Sequence, residues 1–213
     1  MEQQVYVGVD LGGTSIKVGL CNEQGKLLLT DEGPTGTEHG ADVVLENIAQ
    51  YVRKLVAESD YTWDQVAGIG AGIAGFMDIS EGFVKLSPNL GWRNVPVKKI
   101  LEEKLGKSVK IDNDANVAAL GEAWAGAGAG IPNIVCYTLG TGVGGGIIIR
   151  GRIYQAFPVW LANWGIWRLF PTLRLSIAAA AKRAVWKPSH PQRALFEWRR
   201  KRWNAARVPL WHL

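Results

Sequence analysis

Apolar residues occupy every second position from the start of the chain. Val5, Val7, Val9 and Leu11 are two residues apart, and the runs SIKVGLCN and LLLT follow after short glycine-containing turns. Two β-rich runs around LGGT, with a third after EQGK, predict a meander of antiparallel strands. The period changes between Ala41 and Asp60, where Leu45, Ile48, Val52, Leu55 and Val56 recur at helical spacing. VAGIGAGIAG from Val66 reads as a buried strand and SPNLGW as a loop. VPVKKILEEKLG reads as a helix ended by Gly106, and SVKIDND as another strand. ANVAALGEAWAG predicts a small-residue helix beginning where that strand stops. NIVCYTLG, TGVGG and GIIIRGRIY then repeat the strand, glycine turn, strand pattern, which makes the fold class α/β.

The pattern breaks at Ala156. Of the chain's 213 residues, those up to Gln155 hold 13 Lys and Arg against 18 Asp and Glu; the remainder hold 11 against 1, with seven of the ten Trp and one of the 26 Gly. The formal net charge of +5 therefore describes neither part. Cys21 and Cys136 lie in apolar strand-like runs, which points to buried thiols in a reducing compartment. With no signal peptide and no long apolar span at the N-terminus, the expectation is a cytoplasmic protein with no membrane partner.

Candidate chemistry lies in three places. D-L-G-G-T at Asp10 to Thr14 and L-G-T-G-V-G-G-G at Leu139 to Gly146 are glycine turns in which backbone N–H groups can approach an anion without a Cβ in the way. Neither fits a P-loop. The β-branched run after the second opens no helix, which argues against a dinucleotide-binding turn. Either turn alone could equally be an ordinary tight hairpin. D-N-D-A-N at Asp112 to Asn116 sits where a strand ends and a helix begins. A carboxylate there can take a proton from a hydroxyl, or Asp114 or Asn113 can simply cap the helix.

Taken together, VDLGGTSIKVGL, GIGAGIAGFMD, LSPNLGW, VKIDNDANVAALGEAWAG and YTLGTGVGGGIII resemble, in order, the ROK family of sugar kinases and regulators, most closely its bacterial glucokinases. The resemblance covers Val5 to about Gln155. It implies the ribonuclease H-like fold shared with actin and hexokinase, with ATP in an interdomain cleft and transfer of its γ-phosphoryl group to a sugar hydroxyl, assisted by Mg²⁺. By the same resemblance, Asp10 faces the metal–phosphate end of ATP. Gly12, Gly13, Thr14 and Lys17 complete the first phosphate loop, and Gly140, Thr141 and Gly142 form the second. Asp114 is the base for the sugar 6-hydroxyl, while Gly75, Asn89 and Asn113 bind sugar. The implied domains are a complete N-terminal lobe over residues 1–115 and the start of a second lobe over 116–155.

The resemblance stops at Gln155. The family continues with G-x-x-G-E-x-G-H and C-x-C-G-x-x-G-C-x-E, whose His and three Cys hold a structural zinc, and neither motif is present as written. The genetic code offers a test. Reading the codons possible for Ala156 to Arg168 from the third base of the Ala156 codon permits V-S-G-L-A-G-E-L-G-H-L, with the second Leu-Gly forced. The same frame from Ile177 to Lys187 permits C-R-C-G-K-T-G-C-L-E, with the Glu forced by Trp186 and Lys187. Two bases of each triplet are fixed, so accidental agreement at all the signature positions is very improbable. The expectation is that one nucleotide is missing just after the Gln155 codon, and that residues 156–213 are an out-of-frame tail.

That expectation also accounts for RRKRW at Arg199 to Trp203, which would otherwise suggest a nucleic-acid or membrane-surface patch. A chain without the zinc segment is expected to have negligible kinase activity. The homodimer common in the family is doubtful for it. Two alternatives remain. One is a sugar-responsive regulator of the same family, although only nine residues precede Asp10 and leave no room for a DNA-reading domain there. The other is a kinase for a different hexose, such as fructose or N-acetylmannosamine.

Overall fold

The computed structural model describes residues 3–139 and 143–155. All of them lie in the first of two compact units, Met1–Pro171; the second, Thr172–Leu213, falls outside the described residues, as does the expected out-of-frame tail.

The alternating N-terminal runs become β1 (Val5–Leu11), β2 (Ser15–Asn22) and β3 (Leu27–Pro34), an antiparallel meander as the period of two predicts. In β1 every odd-numbered residue is buried and every even-numbered one is exposed. That alternation matches a strand with one face on a core. β4 (Val66–Ile73) and β8 (Val109–Asn113) add to β1 in parallel and give a five-stranded sheet of order β3-β2-β1-β4-β8.

α1 (Ala41–Ala57) buries Val44, Leu45, Ile48, Ala49, Val52, Leu55 and Val56, the apolar stripe visible in the sequence, against β1, β2 and β3. α2 (Val97–Leu105) contributes Val97, Leu101 and Leu105 to the same core and ends at Gly106. At φ 64, Gly106 adopts the left-handed conformation that halts a helix and suits glycine.

α3 (Asp114–Ala125) packs on β4 and on a second, three-stranded sheet of β9 (Ile134–Leu139), β10 (Val143–Ile149) and β11 (Arg152–Ile153). Here glycine sets the spacing. A Cβ on Gly146 would stand 2.6 Å from the Ala119 Cβ, and one on Gly144 would stand 2.9 Å from the Ala115 Cβ. The helix therefore lies almost directly on the backbone of β10. A third sheet, β5 (Phe76–Asp78), β6 (Phe83–Ser87) and β7 (Trp92–Val95), flanks the loop read at SPNLGW, in residues to which the sequence pattern assigned no element. Its strands surround the turn from Ser87 to Gly91. Among the described residues, no helix is long and apolar enough to cross a membrane.

Candidate functional site

The parallel strands β1, β4 and β8 place their C-terminal ends side by side. Their register aligns Asp10 with Gly72 and Asp112, and Leu11 with Ile73 and Asn113. Loops beyond the carboxyl ends of parallel strands are where open α/β sheets bind ligands. Most residues singled out in the sequence gather at this edge.

The first glycine turn joins β1 to β2. The Gly12 N–H donates to the Ser15 carbonyl at 3.0 Å, whereas the N–H groups of Gly13 and Thr14 have no acceptor among the described residues. Gly13 lies against the Ser87–Gly91 turn, since a Cβ there would come within 3.1 Å of the Asn89 carbonyl oxygen. Asn89 itself is exposed at the tip of that turn. Asp10 and Lys17 face each other across the hairpin as directly paired residues. Partial burial pushes the Asp10 carboxyl above its ordinary value; Lys17 opposes the shift and the negative charge of Asp114 adds to it. Asp10 and Asp114, more than a hundred residues apart in sequence, are thus electrostatic neighbours.

The next link is Gly75, at φ 154, where a Cβ would stand 2.8 Å from the Leu86 carbonyl oxygen. Only glycine fits there. Ser87, fully buried, donates its hydroxyl to the Ala74 carbonyl at 2.6 Å. The Asn113 Nδ2 donates to the Gly75 carbonyl at 3.1 Å.

The DNDAN segment divides its tasks. Asn113 caps α3, its Oδ1 accepting from the Ala115 N–H at 3.0 Å. Asp112 is buried. Its Oδ1 accepts from the Asn113 N–H at 2.7 Å and from the Asn116 Nδ2 at 2.9 Å, and its Oδ2 accepts from the Gln155 Nε2 at 3.2 Å. Asp114 is left exposed in the first turn of α3, with no hydrogen bond or ion pair among the described residues. Gly72 keeps α3 close, because a Cβ on it would meet Val117 at 3.3 Å and the Asp114 Cα at 3.5 Å. A free carboxylate held rigidly at a strand-to-helix junction, beside a turn with open N–H groups, can accept a proton from a bound hydroxyl while an anion sits on the turn.

Gly140, Thr141 and Gly142 lie outside the described residues. Thr35, Ser87, Asp112 and Asn116, which hold this edge together, were not assigned roles from the sequence. A groove of about 1040 Å³ runs over Gly8, Gly68 and Gly70 beside Leu120 and Trp124 and reaches Asp112 and Gln155; neither Asp114 nor the first glycine turn lines it.

On this sheet order the described residues form a mixed α/β lobe with its candidate residues at the carboxyl ends of β1, β4 and β8. The ROK family profile matches residues 6–157, and the chain belongs to the ROK family. It is 43% identical over 153 residues to a glucokinase of Halalkalibacterium halodurans, covering 72% of this chain and 46% of that protein. It is 35% identical over 199 residues to a glucokinase of Streptomyces coelicolor, covering 93% and 60%. The crystal structure of a ROK family glucokinase from Streptomyces griseus in complex with glucose and AMPPNP superposes with a TM-score of 0.65 at 38% identity, over 71% of this chain and 46% of that one. The chain spans about half the length of the curated relatives it matches.

Proposed function

We propose that the chain carries the catalytic edge of an ATP-dependent hexose kinase that phosphorylates glucose at its 6-hydroxyl. The observation that carries this reading is the state of Asp114. Its neighbour Asn113 supplies the helix cap, so among the described residues the Asp114 carboxylate is unpaired, and its charge acts on Asp10 at the entry to the first glycine turn. Support comes from the glucokinases of Halalkalibacterium halodurans and Streptomyces griseus, the second of which holds glucose and AMPPNP.

In this reading the Gly13 and Thr14 N–H groups and Lys17 hold phosphate oxygens, while Asn89, Gly75 and Asn113 orient the sugar. Asn113 has an amide hydrogen left over from its bond to Gly75. Asp114 accepts the 6-hydroxyl proton as the oxygen attacks the γ-phosphorus. Gly140, Thr141 and Gly142 complete the phosphate contacts. The carboxylate of Asp10 is a hard oxygen donor that would hold Mg²⁺, which would neutralise charge on the transferred group. The segment in which the family's structural zinc ligands are expected, after Gln155, lies outside the described residues.

Residues 156–213 are, in the same proposal, translated out of frame, and the 213-residue chain turns over little or no glucose. The test is a glucose 6-phosphate assay with Mg·ATP on two proteins: the chain as it stands and the product with one nucleotide restored after the Gln155 codon. The restored protein is expected to be active and its Asp114→Asn variant to lose about 10²–10⁴-fold in kcat. Full activity of D114N in the restored protein refutes the assignment of the base.

A further inference from the structure

Thr35 directly follows β3 and is fully buried, an unusual place for a hydroxyl without a local partner. All three of its polar groups are used. Its Oγ1 donates to the Gly12 carbonyl at 2.8 Å, its N–H donates to the Thr14 carbonyl at 3.0 Å, and its own carbonyl accepts from the Asn47 Nδ2 at 3.2 Å. Gly12 and Thr14 bracket the first glycine turn. One residue from outside the hairpin therefore holds both of the turn's flanking carbonyls, and Asn47 ties that residue to α1, whose apolar stripe is set in the core.

The consequence for the turn is directional. In a trans peptide the C=O and the following N–H point in opposite directions. With the Gly12 oxygen drawn inward to Thr35, the Gly13 N–H is turned outward, and it has no acceptor among the described residues. Without that anchor, a Gly-Gly peptide would rotate freely, because neither residue has a Cβ to restrict it.

We infer that Thr35 is a positioning residue for phosphate: by holding the Gly12 and Thr14 carbonyls, it fixes the Gly12–Gly13 peptide so that the Gly13 N–H faces a phosphoryl oxygen. The ligand assignment rests on the kinase reading above. The orientation of the turn does not.

The test uses the whole 213-residue chain, its Thr35→Val variant, which keeps the shape and the backbone N–H, and its Thr35→Ser variant, which keeps the hydroxyl. Amide exchange and ¹⁵N relaxation are read by NMR. In T35V the Gly12 and Thr35 amides are expected to exchange roughly three- to tenfold faster, the scale of one lost hydrogen bond, with those of Val7 and Ile48 unchanged. T35S is expected to exchange at the wild-type rate. Unchanged Gly12 and Thr35 amides in T35V, or equal acceleration in T35S, overturn the inference. If T35V does not fold, the wild type decides: a Gly13 order parameter below about 0.6, the range of flexible backbone, overturns it, and one matching β1 supports it.

Calorimetric titration with Mg·AMPPNP and with glucose separates the two readings. A three- to tenfold loss of nucleotide affinity in T35V with glucose affinity unchanged supports the phosphate role, and equal nucleotide affinity in T35V and wild type overturns it. Failure of AMPPNP to bind both the 213-residue chain and the protein with the nucleotide restored after the Gln155 codon counts against the kinase reading. Failure with the 213-residue chain alone follows from its incomplete second lobe, and in either case the exchange result decides the orientation.

Discussion

Asn113 and Asp114 are adjacent at the start of α3, yet only one of them is bound to the protein. The Asn113 side chain is engaged at both ends, accepting from the Ala115 N–H and donating to the Gly75 carbonyl, while Asp114 keeps both carboxylate oxygens free among the described residues. Placing the cap on the neutral residue leaves the charged one available.

This division predicts opposite costs for two neighbouring substitutions. Asn113→Ala removes the cap and the tie to Gly75 and is expected to lower stability by about 1 kcal/mol or more. Asp114→Ala removes a favourable charge–dipole interaction and also relieves the repulsion with Asp10, and is expected to cost no more than about 1 kcal/mol. Urea denaturation of the two variants checks the order, and a larger loss for D114A would contradict the observed division.

Asp10 sets a pH dependence whose sign is opposite to that of a salt-bridged carboxylate. Its pKa in the fold is raised above the ordinary 3.8, mainly by partial burial, so the native state holds this proton more tightly than the unfolded chain does. The stabilisation is therefore fully present below pH 3.8 and is lost as pH rises through the raised value. Asp10→Asn is expected to raise the Tm at pH 7, with the gain shrinking toward pH 3. Lys17→Met removes the cation that opposes the shift and is expected to move the Asp10 titration further upward, as read from the carboxyl carbon by NMR. A downward movement in K17M would contradict the pairing of Asp10 and Lys17.

Much of this lobe was legible in the sequence, for physical reasons specific to each element. β1 shows strict alternation because one face is buried and the other is not, and α1 shows a stripe because it lies on a sheet. β5 to β7 escaped because they are three to five residues long and β7 is interrupted by Asn94 at φ 52, so no period develops. At DNDAN both Asn and Asp can cap a helix, and only the hydrogen bond to the Ala115 N–H assigns the task to Asn113. Thr35 and Ser87 gave no signal at all. Each is a single hydroxyl whose partner lies 23 or 13 residues away, and spacing rules register only near neighbours.

The close seating of α3 predicts different responses at Gly146 in β10 and at Gly151 in the turn beyond it. Gly146→Ala would bring its Cβ to 2.6 Å from the Ala119 Cβ and 3.1 Å from the Ala115 carbonyl oxygen, neither of which is a flexible chain end. The helix must shift, at a cost of about 1–3 kcal/mol. Gly151→Ala meets no neighbouring atom within 4 Å, yet it sits at φ 74 and is expected to cost only the smaller backbone penalty, about 1 kcal/mol. Thermal denaturation of the two variants checks the ranking.

The proposed missing nucleotide predicts a result outside the protein itself. The family profile ends at residue 157, two residues beyond Gln155, where glycine gives way to tryptophan and arginine. The match to the Streptomyces coelicolor glucokinase runs on over 199 residues at 35% identity, so the boundary is not drawn by every comparison. DNA sequence decides between them. Resequencing across the Gln155 codon is expected to read CAR GGC GTT, with one more G than this chain implies, and the restored frame is then expected to spell G-E-L-G-H and C-R-C-G-K-T-G-C-L-E. Intact-mass measurement of the protein expressed from that DNA should exceed the 23.2 kDa of the present chain. A DNA sequence matching the present frame, with a protein of 23.2 kDa, would instead mean that Trp160 to Trp211 are genuinely encoded, and the proposed frame error would be wrong.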